Sequence, residues 1–249
     1  MIRALWFYPA AAVLTLVLAG WLVVASWLRR PSLPRLCRTL GRLWARTILR
    51  WSGVQVSFEG VDRVDWDEPM VLVANHQSWF DVFALAGELP VVPRFVAKKE
   101  LARIPVFGRA WQDCGHIAVD RSDRSRAIAS LRHAGDRIEE ESLALLFFPE
   151  GTRSRDGRLQ PFKKGAFVLA IQSQVPVVPL GIVGSRAVMP KGSFRIRPGH
   201  IRIRVGEPIP TQGLVHADRN RLVEEGREAV LRLRTPDEAS NHSRPETQS

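Results

Sequence analysis

The chain has 249 residues, 45% of them apolar and 24% charged, which is enough for one sizeable core and excludes a disordered chain or a small disulfide scaffold. A net charge of +11 suits nucleic acid, an anionic membrane or phosphorylated substrates, and its distribution decides among them. Residues 1–50 carry eight arginines and no acid, leaving 28 basic against 25 acidic side chains in the other 199; a near-neutral body behind a basic N-terminus argues against nucleic-acid binding.

Ala4 to Leu28 is an uncharged run of 25 residues, long enough at about 1.5 Å per residue to cross a hydrocarbon layer about 30 Å thick. Trp6, Tyr8, Trp21 and Trp27 lie towards its ends, where amphipathic rings favour the headgroup level. The run exceeds the usual apolar core of a signal peptide and lacks a small-x-small cleavage site, so it is expected to stay as a membrane segment. Pro9 and Gly20 leave a second topology open, a re-entrant hairpin dipping into one leaflet. Arg29 and Arg30 close the segment and are expected to face the cytoplasm, which puts the remainder at the cytoplasmic face of the inner (plasma) membrane.

After the break at Pro31 and Pro34, Leu36, Leu40, Leu43, Thr47 and Trp51 fall on one helical face, and Arg35, Arg38, Arg42, Arg46 and Arg50 recur every three or four residues. The pattern predicts a basic amphipathic helix lying on an anionic leaflet, with a solvated helix face as the plainer reading. Cys37 and Cys114, 77 positions apart without a CxxC or histidine-rich neighbour, are expected as reduced packing residues.

From Trp51 onward short apolar runs alternate with amphipathic segments, the signature of an α/β domain. Strands are expected at Val54–Phe58, Met70–Ala74, Arg94–Ala97, Ile117–Val119, Leu143–Phe148 and Val177–Val183. Helices are expected at Trp79–Gly87, Asp123–Glu140, Ala166–Ser173 and Asp218–Leu233. Residues 193–206 alternate apolar and basic on either side of Pro198-Gly199 and read as a hairpin with one basic face. The organisation predicted is a membrane segment and basic helix over residues 1–51, a catalytic-sized domain over 52–234 and a disordered polar tail over 235–249. Dinucleotide, P-loop and serine-elbow motifs do not occur.

Four clusters carry chemistry. In NHQSWFD (Asn75 to Asp81) a strand runs into a polar turn and then a helix. An imidazole titrates near neutrality, and a carboxylate on one ring nitrogen leaves the other free to accept a proton, so His76 and Asp81 form a candidate base and orienting partner. Five positions on one continuous helix would turn the two side chains about 140° apart. The pair therefore needs a bend, which Ser78 at the helix start supplies. The plainer reading has Asp81 only completing an S-x-x-D capping box.

FPEGTRS (Phe148 to Ser154) follows an apolar strand, and Glu150, Gly151, Thr152 and Arg153 could line a phosphate pocket, or form an ordinary turn. The stretch from Lys98 to Arg121 and the strand VPVVPLGIVGS (Val175 to Ser185) complete the set. Only five lysines accompany 31 arginines, so the doublets Lys98-Lys99 and Lys163-Lys164 stand out.

The order and spacing of NHQSWFD, KKELARIPVFG with VDR, FPEGTRS and VPVVPLG over residues 70–186 resemble the glycerolipid acyltransferases, most closely the 1-acylglycerol-3-phosphate acyltransferases. That resemblance implies a mixed central sheet flanked by helices. It also implies transfer of a fatty acyl group from acyl-CoA or acyl-carrier protein to the free 2-hydroxyl of lysophosphatidate, giving phosphatidate. By it His76 is the general base, Asp81 its partner, and Glu150, Gly151, Thr152 and Arg153 bind the glycerophosphate with Lys98 and Arg121 in support. Asn75 and Ser78 support the turn. No acyl-enzyme, cofactor or metal is implied. The blocks do not read the rest of the headgroup, which leaves a lyso-aminolipid or lysophosphatidylglycerol as alternative acceptors. A non-catalytic membrane-tethered lipid-binding protein is a further alternative.

Overall fold

The structure, a computed structural model, describes residues 2–120 and 143–235 together with Ser130, Gly135 and Ile138. Arg121, most of the helix expected over residues 123–140 and the tail beyond Thr235 lie outside the described residues.

Two long helices come first, α1 (Ile2–Trp27) and α2 (Leu33–Ser52). The α/β part follows in the order β1 (Val54–Glu59), β2 (Met70–Ala74), α3 (Phe80–Glu88), β3 (Arg94–Lys98), α4 (Phe107–Asp113), β4 (Ile117–Val119), β5 (Ala144–Phe147), α5 (Gly165–Gln172), β6 (Val177–Val183), the single turn α6 (Ser185–Val188), β7 (Gly199–Val205) and α7 (Arg219–Arg234). The seven strands form one mixed sheet in the order β1-β7-β6-β2-β5-β3-β4. All neighbours are parallel except β6 and β7, which run antiparallel.

Every residue of β2 is buried, as parallel strands covered on both faces require. Met70, Leu72 and Ala74 point into one core with Phe80, Leu85 and Ile48, contributed by α3 and α2. Val71 and Val73 point into the other with Phe167, Leu169, Leu222 and Val230, contributed by α5 and α7. The result is three layers with the N-terminal helices on one side.

The helix α1 runs unbroken through Pro9 and Gly20, so the apolar segment does not fold back within itself. The chain reverses at residues 28–32, and α2 returns antiparallel. Trp6 packs on Trp51 with ring centroids 5.9 Å apart, Trp44 Nε1 donates to Thr15 Oγ1 at 2.9 Å, and Leu22 clusters with Cys37. The inner flank of α1 is buried at Phe7, Ala19, Leu22 and Ala25. Its outer flank exposes Val13, Leu16, Val17, Trp21 and Val24.

Three expectations are corrected. The buried face of α2 consists of Cys37, Ala45, Ile48, Leu49 and Ser52, and Leu43 is exposed; the helix is turned so that Ile48 and Leu49 pack with α3 and the sheet while Cys37 meets the end of α4. Two of its arginines dock on protein instead of lipid. The Arg42 guanidinium donates to the carbonyls of Leu89 and Pro90, both at 2.6 Å, and Arg46 donates to Gly87 O and to both oxygens of Glu88. Cations at the C-terminal end of α3 complement its unpaired carbonyls and its dipole. Arg35, Arg38 and Arg50 stay exposed.

The hairpin over 193–206 does not form. Pro198 ends the first arm outside the sheet, and β7 alone enters, between β1 and β6. Arg202 and Arg204 on its exposed face pair with Glu59 at 3.2 and 2.8 Å.

Cys37 and Cys114 are bonded, not reduced, with Cα atoms 5.5 Å apart. Their separation of 77 residues carries no sequence signal; the link exists because α1 and α2 bring Cys37 onto the end of α4. Protein purified without reductant and alkylated in denaturant should show no free thiol by mass spectrometry, and two after reduction. Removing the link with Cys37→Ala/Cys114→Ala should lower stability by about 4 kcal/mol on loop-closure grounds, read as an earlier unfolding midpoint. Two thiols reactive without reductant would refute the bond.

Candidate active site

The C-terminal ends of the adjacent parallel strands β2, β5, β3 and β4 lie along one edge of the sheet, the edge at which α/β sites are built. Asn75 to Asp81 follow β2, Phe148 to Ser154 follow β5, Lys98 closes β3 and Asp120 follows β4. Strand order thus puts the Asn75–Asp81 and Phe148–Ser154 clusters side by side, the Lys98 stretch farther along the same edge, and the fourth cluster on the neighbouring strand β6.

His76 sits in the turn before α3 and Asp81 in its first turn, so the required bend is present. His76 Nδ1 is 2.8 Å from Asp81 Oδ2. The same oxygen accepts the backbone N–H groups of Gln77 at 2.7 Å and Ser78 at 2.9 Å. With two N–H donors already on Oδ2, the ring contact is satisfied by Nδ1–H, which leaves the Nε2 lone pair free. One oxygen therefore both holds the turn and meets the ring; the S-x-x-D capping box does not form, since α3 starts after Trp79 and Ser78 Oγ accepts Phe80 N instead of Asp81 N. Asp81 is fully buried, whereas 15% of the His76 side chain stays accessible, so the imidazole can be reached and its partner cannot.

The ring is fixed from two further directions. It stacks on Phe148 at a centroid distance of 4.0 Å and 15° between planes. Its backbone is tied to the second cluster, His76 N donating to Glu150 Oε1 at 2.6 Å and Ser154 N donating to His76 O at 2.8 Å. Glu150 is buried and also accepts Gln160 N at 3.0 Å. Burial pushes its carboxyl above the usual glutamate range against the pull of these hydrogen bonds. Glu150 therefore clamps one cluster to the other, and its carboxylate is occupied by protein.

Asn75 and Ser78 tie the turn to neighbouring elements. The Asn75 amide donates to Ile182 O at 2.9 Å and accepts Ile182 N at 2.7 Å, continuing the β2–β6 ladder by one side-chain rung. Ser78 Oγ donates to Met189 O at 2.7 Å and accepts Phe80 N at 3.1 Å.

Gly151 has φ +76°, and a Cβ there would lie 2.8 Å from Lys163 Cε, so the turn admits only glycine without strain. Thr152 Oγ1 accepts Lys191 Nζ at 2.9 Å, and the same ammonium donates to Arg153 O at 2.8 Å. The Arg153 guanidinium lies 4.8 Å from the Trp79 ring centroid, which holds it beside the helix that carries Asp81. Gly151, Thr152, Arg153, Lys163 and Lys191 make a cationic turn next to the imidazole.

Lys98 is not drawn into this group. It ends β3, two strands from β2, and its Nζ is 3.7 Å from the exposed Glu100. In the same stretch Lys99 pairs with Asp120 at 2.6 Å. His116, half-buried and pushed down to about 3 by desolvation and by Arg94, is a neutral residue whose Nδ1 accepts Phe95 N.

Sequence reasoning missed Phe148 as the stacking partner, Trp79 as the Arg153 support, and Lys191. Lys163 stood out as half of a rare lysine doublet, and its side chain lies over Gly151. Among the described residues no cluster of metal-ligating side chains is present.

Asn75→Ala strands a buried donor and a buried acceptor, at about 1–3 kcal/mol each. Thermal unfolding of this variant should therefore begin well below that of the parent, whereas Lys98→Ala should leave it unchanged.

Comparison with known proteins agrees with this geometry. A family model described as Acyltransferase matches residues 55–183. The 1-acyl-sn-glycerol-3-phosphate acyltransferase of Limnanthes douglasii is 36% identical over 206 residues, covering 82% of this chain and 73% of the relative. The human 1-acyl-sn-glycerol-3-phosphate acyltransferase alpha is 31% identical over 245 residues, 93% of this chain and 84% of the relative. The crystal structure of the 1-acyl-sn-glycerophosphate (LPA) acyltransferase PlsC from Thermotoga maritima superposes with a TM-score of 0.77 at 28% identity, covering 95% of this chain and 97% of that one. A histidine–aspartate pair at the mouth of a mixed sheet, an adjoining cationic turn and these relatives together establish that the chain belongs to the acyltransferase family that includes the 1-acyl-sn-glycerol-3-phosphate acyltransferases.

Proposed function

We propose that this enzyme transfers a fatty acyl group from a thioester donor to the 2-hydroxyl of 1-acylglycerol-3-phosphate, with His76 as general base. The observation that carries this reading is the 2.8 Å contact from Nδ1 to a fully buried carboxylate in a ring that is itself accessible. Nε2 takes the hydroxyl proton as the oxygen attacks the thioester carbonyl. The tetrahedral intermediate collapses, the carbon–sulfur bond breaks, and the thiolate leaves and takes up a proton, which the imidazolium can return. Positive charge on the ring is stabilised by Asp81 Oδ2 throughout. No acyl-enzyme is needed, and no cofactor takes part beyond the donor itself.

Arg153 and Thr152 are the groups suited to the glycerophosphate, since a guanidinium grips phosphate bidentately and the turn beneath it is already cationic. Glu150 takes a positioning role in place of the substrate contact expected for it, because both its oxygens are engaged by backbone N–H groups. Lys98 is left as distant electrostatic support, and Arg121 keeps only the supporting role that the family resemblance implies.

The membrane supplies a lysolipid directly. The outer flank of α1 exposes apolar side chains along its length, and Trp79 beside the base is 41% exposed. We place the site at the bilayer surface, with α1 and the exposed arginines of α2 held at the lipid.

Purified protein supplied with oleoyl-CoA and a panel of lysolipids should acylate lysophosphatidate fastest; preference for an acceptor without a phosphate would overturn the substrate assignment. His76→Ala should lower turnover by about 10²–10⁴-fold while the variant still co-sediments with vesicles. Turnover at the parent rate in that variant would remove His76 from the mechanism.

A further inference from the structure

Beyond the histidine, on the side of the turn that faces β6, a cleft of about 740 Å³ opens to solvent. Its floor is the end of β6 with Gly184, and its near wall is Gln77, the residue that follows the base. Five arginines line it, Arg158, Arg186, Arg195, Arg197 and Arg234, against one acid, Asp156. Only Arg158 is close to that carboxylate, at 3.8 Å. Among the described residues, none of the other four lies within ion-pair distance of any carboxylate.

The arginines come from three separate parts of the chain. Arg186 donates to Arg155 O and Arg234 to Gly157 O, while Gln77 Nε2 donates to the same Gly157 carbonyl. The loop of residues 155–158 is thereby fixed to α7, to α6 and to the turn that holds the base. Arg158 is offset by Asp156, and Arg234 feels the charge of the buried Glu150, but gathering Arg186, Arg195 and Arg197 beside them in one concavity still costs self-repulsion, which a bound polyanion relieves. Planar forks on several sides of a ligand-sized space suit phosphate oxygens best.

Two anionic substrates must meet at His76, and their chemistry assigns them to different cationic stations. In the acceptor only the C2–C3–O–P link separates the reacting hydroxyl from the phosphate, so that phosphate has to sit beside the imidazole, where Arg153 and Lys191 are. In a CoA thioester the phosphates lie a full pantetheine arm away from the reacting carbonyl. They need a second cationic site, set back from the base and connected to it. The cleft touches Gln77 and neither His76 nor Arg153 lines it, which is that arrangement.

We infer that the five-arginine cleft binds the phosphates of the nucleotide end of a CoA-type acyl donor. This rests on the acyl-transfer reading above and extends it to the identity of the donor. A carrier-protein donor brings a single phosphodiester on its pantetheine and would leave most of the guanidinium groups unmatched.

The test uses the full chain in detergent micelles, with Arg195→Gln/Arg197→Gln as the variant, since both side chains are exposed and make no side-chain hydrogen bond within the described residues. Two donors are compared, an acyl-CoA and the same acyl chain on pantetheine, which lacks the nucleotide and its phosphates. Loss of two charge-assisted contacts should lower the parent's preference for acyl-CoA over acyl-pantetheine, read as the ratio of their kcat/KM values, by at least about tenfold. The KM for lysophosphatidate should stay within about twofold of the parent, as charges outside the acceptor's pocket require.

A misfolded variant loses both donors alike and leaves the ratio of its residual rates as the readout. An unchanged ratio overturns the proposal, and an unchanged ratio with a raised lysophosphatidate KM assigns the cleft to the acceptor headgroup instead. Calorimetric binding of adenosine 3′,5′-bisphosphate, which needs no turnover, should be weakened in the variant by a similar factor and by added salt. Equal binding by parent and variant also overturns the proposal. Failure of the parent to acylate lysophosphatidate, with this binding intact, counts against the acceptor assignment alone.

Discussion

One carboxylate oxygen organises this site. Asp81 Oδ2 receives the imidazole Nδ1–H and two successive backbone N–H groups, those of Gln77 and Ser78. The backbone bonds shape the turn between β2 and α3, and the ring bond sets which nitrogen faces outward. Because the carboxylate is fully buried, each bond is made away from competing water and is worth more than it would be at the surface. Folding the turn and orienting the imidazole are therefore a single event. A chain that failed to close the turn would have no oriented histidine, and a chain that lost the aspartate would have no turn.

The rest of the fold holds this oxygen in register. Asn75 ties the end of β2 to β6, Ser78 ties the start of α3 to Met189, and Glu150 ties the backbone of His76 to the loop after β5. All three bonds run from a polar side chain to a main-chain group on a different element. Such bonds fix position with less rotamer freedom than side-chain pairs would allow. The imidazole lies flat against Phe148, an apolar surface that excludes water from one face.

Much of this was legible from the sequence, and the misses have physical causes. The bounds of β2, β4 and β6 follow from apolar runs that end in polar turns. The bend between His76 and Asp81 followed from helix geometry alone. What could not be read is pairing across distance. A basic stripe on α2 has the same periodicity whether its arginines meet lipid phosphates or the carbonyl ends of α3, and only the neighbouring helix decides for Arg42 and Arg46. Cys37 and Cys114 have no local pattern that marks them as partners. The false hairpin at 193–206 arose because alternation reports a half-buried strand and says nothing of which strand lies beside it; Ile201, Ile203 and Val205 alternate as expected, but the partners are β1 and β6. Helix α4 was missed because it is short and follows Val106, a residue with φ +62°.

The course of α1 also limits how the enzyme can be handled and how it could evolve. Its N-terminal end packs on Trp51 and Phe194 and its C-terminal half on Cys37 and Ala110, so it is a wall of the globule as well as a lipid contact. Cutting it away would not release a water-soluble catalytic core. It would bare the apolar flank of α2 and the end of α4, and the remnant would clump. A lineage of such chains could exchange outward-facing residues such as Val13, Leu16, Val17, Trp21 and Val24 freely to suit different bilayers, whereas Phe7, Ala19, Leu22 and Ala25 would change only together with the surfaces they cover.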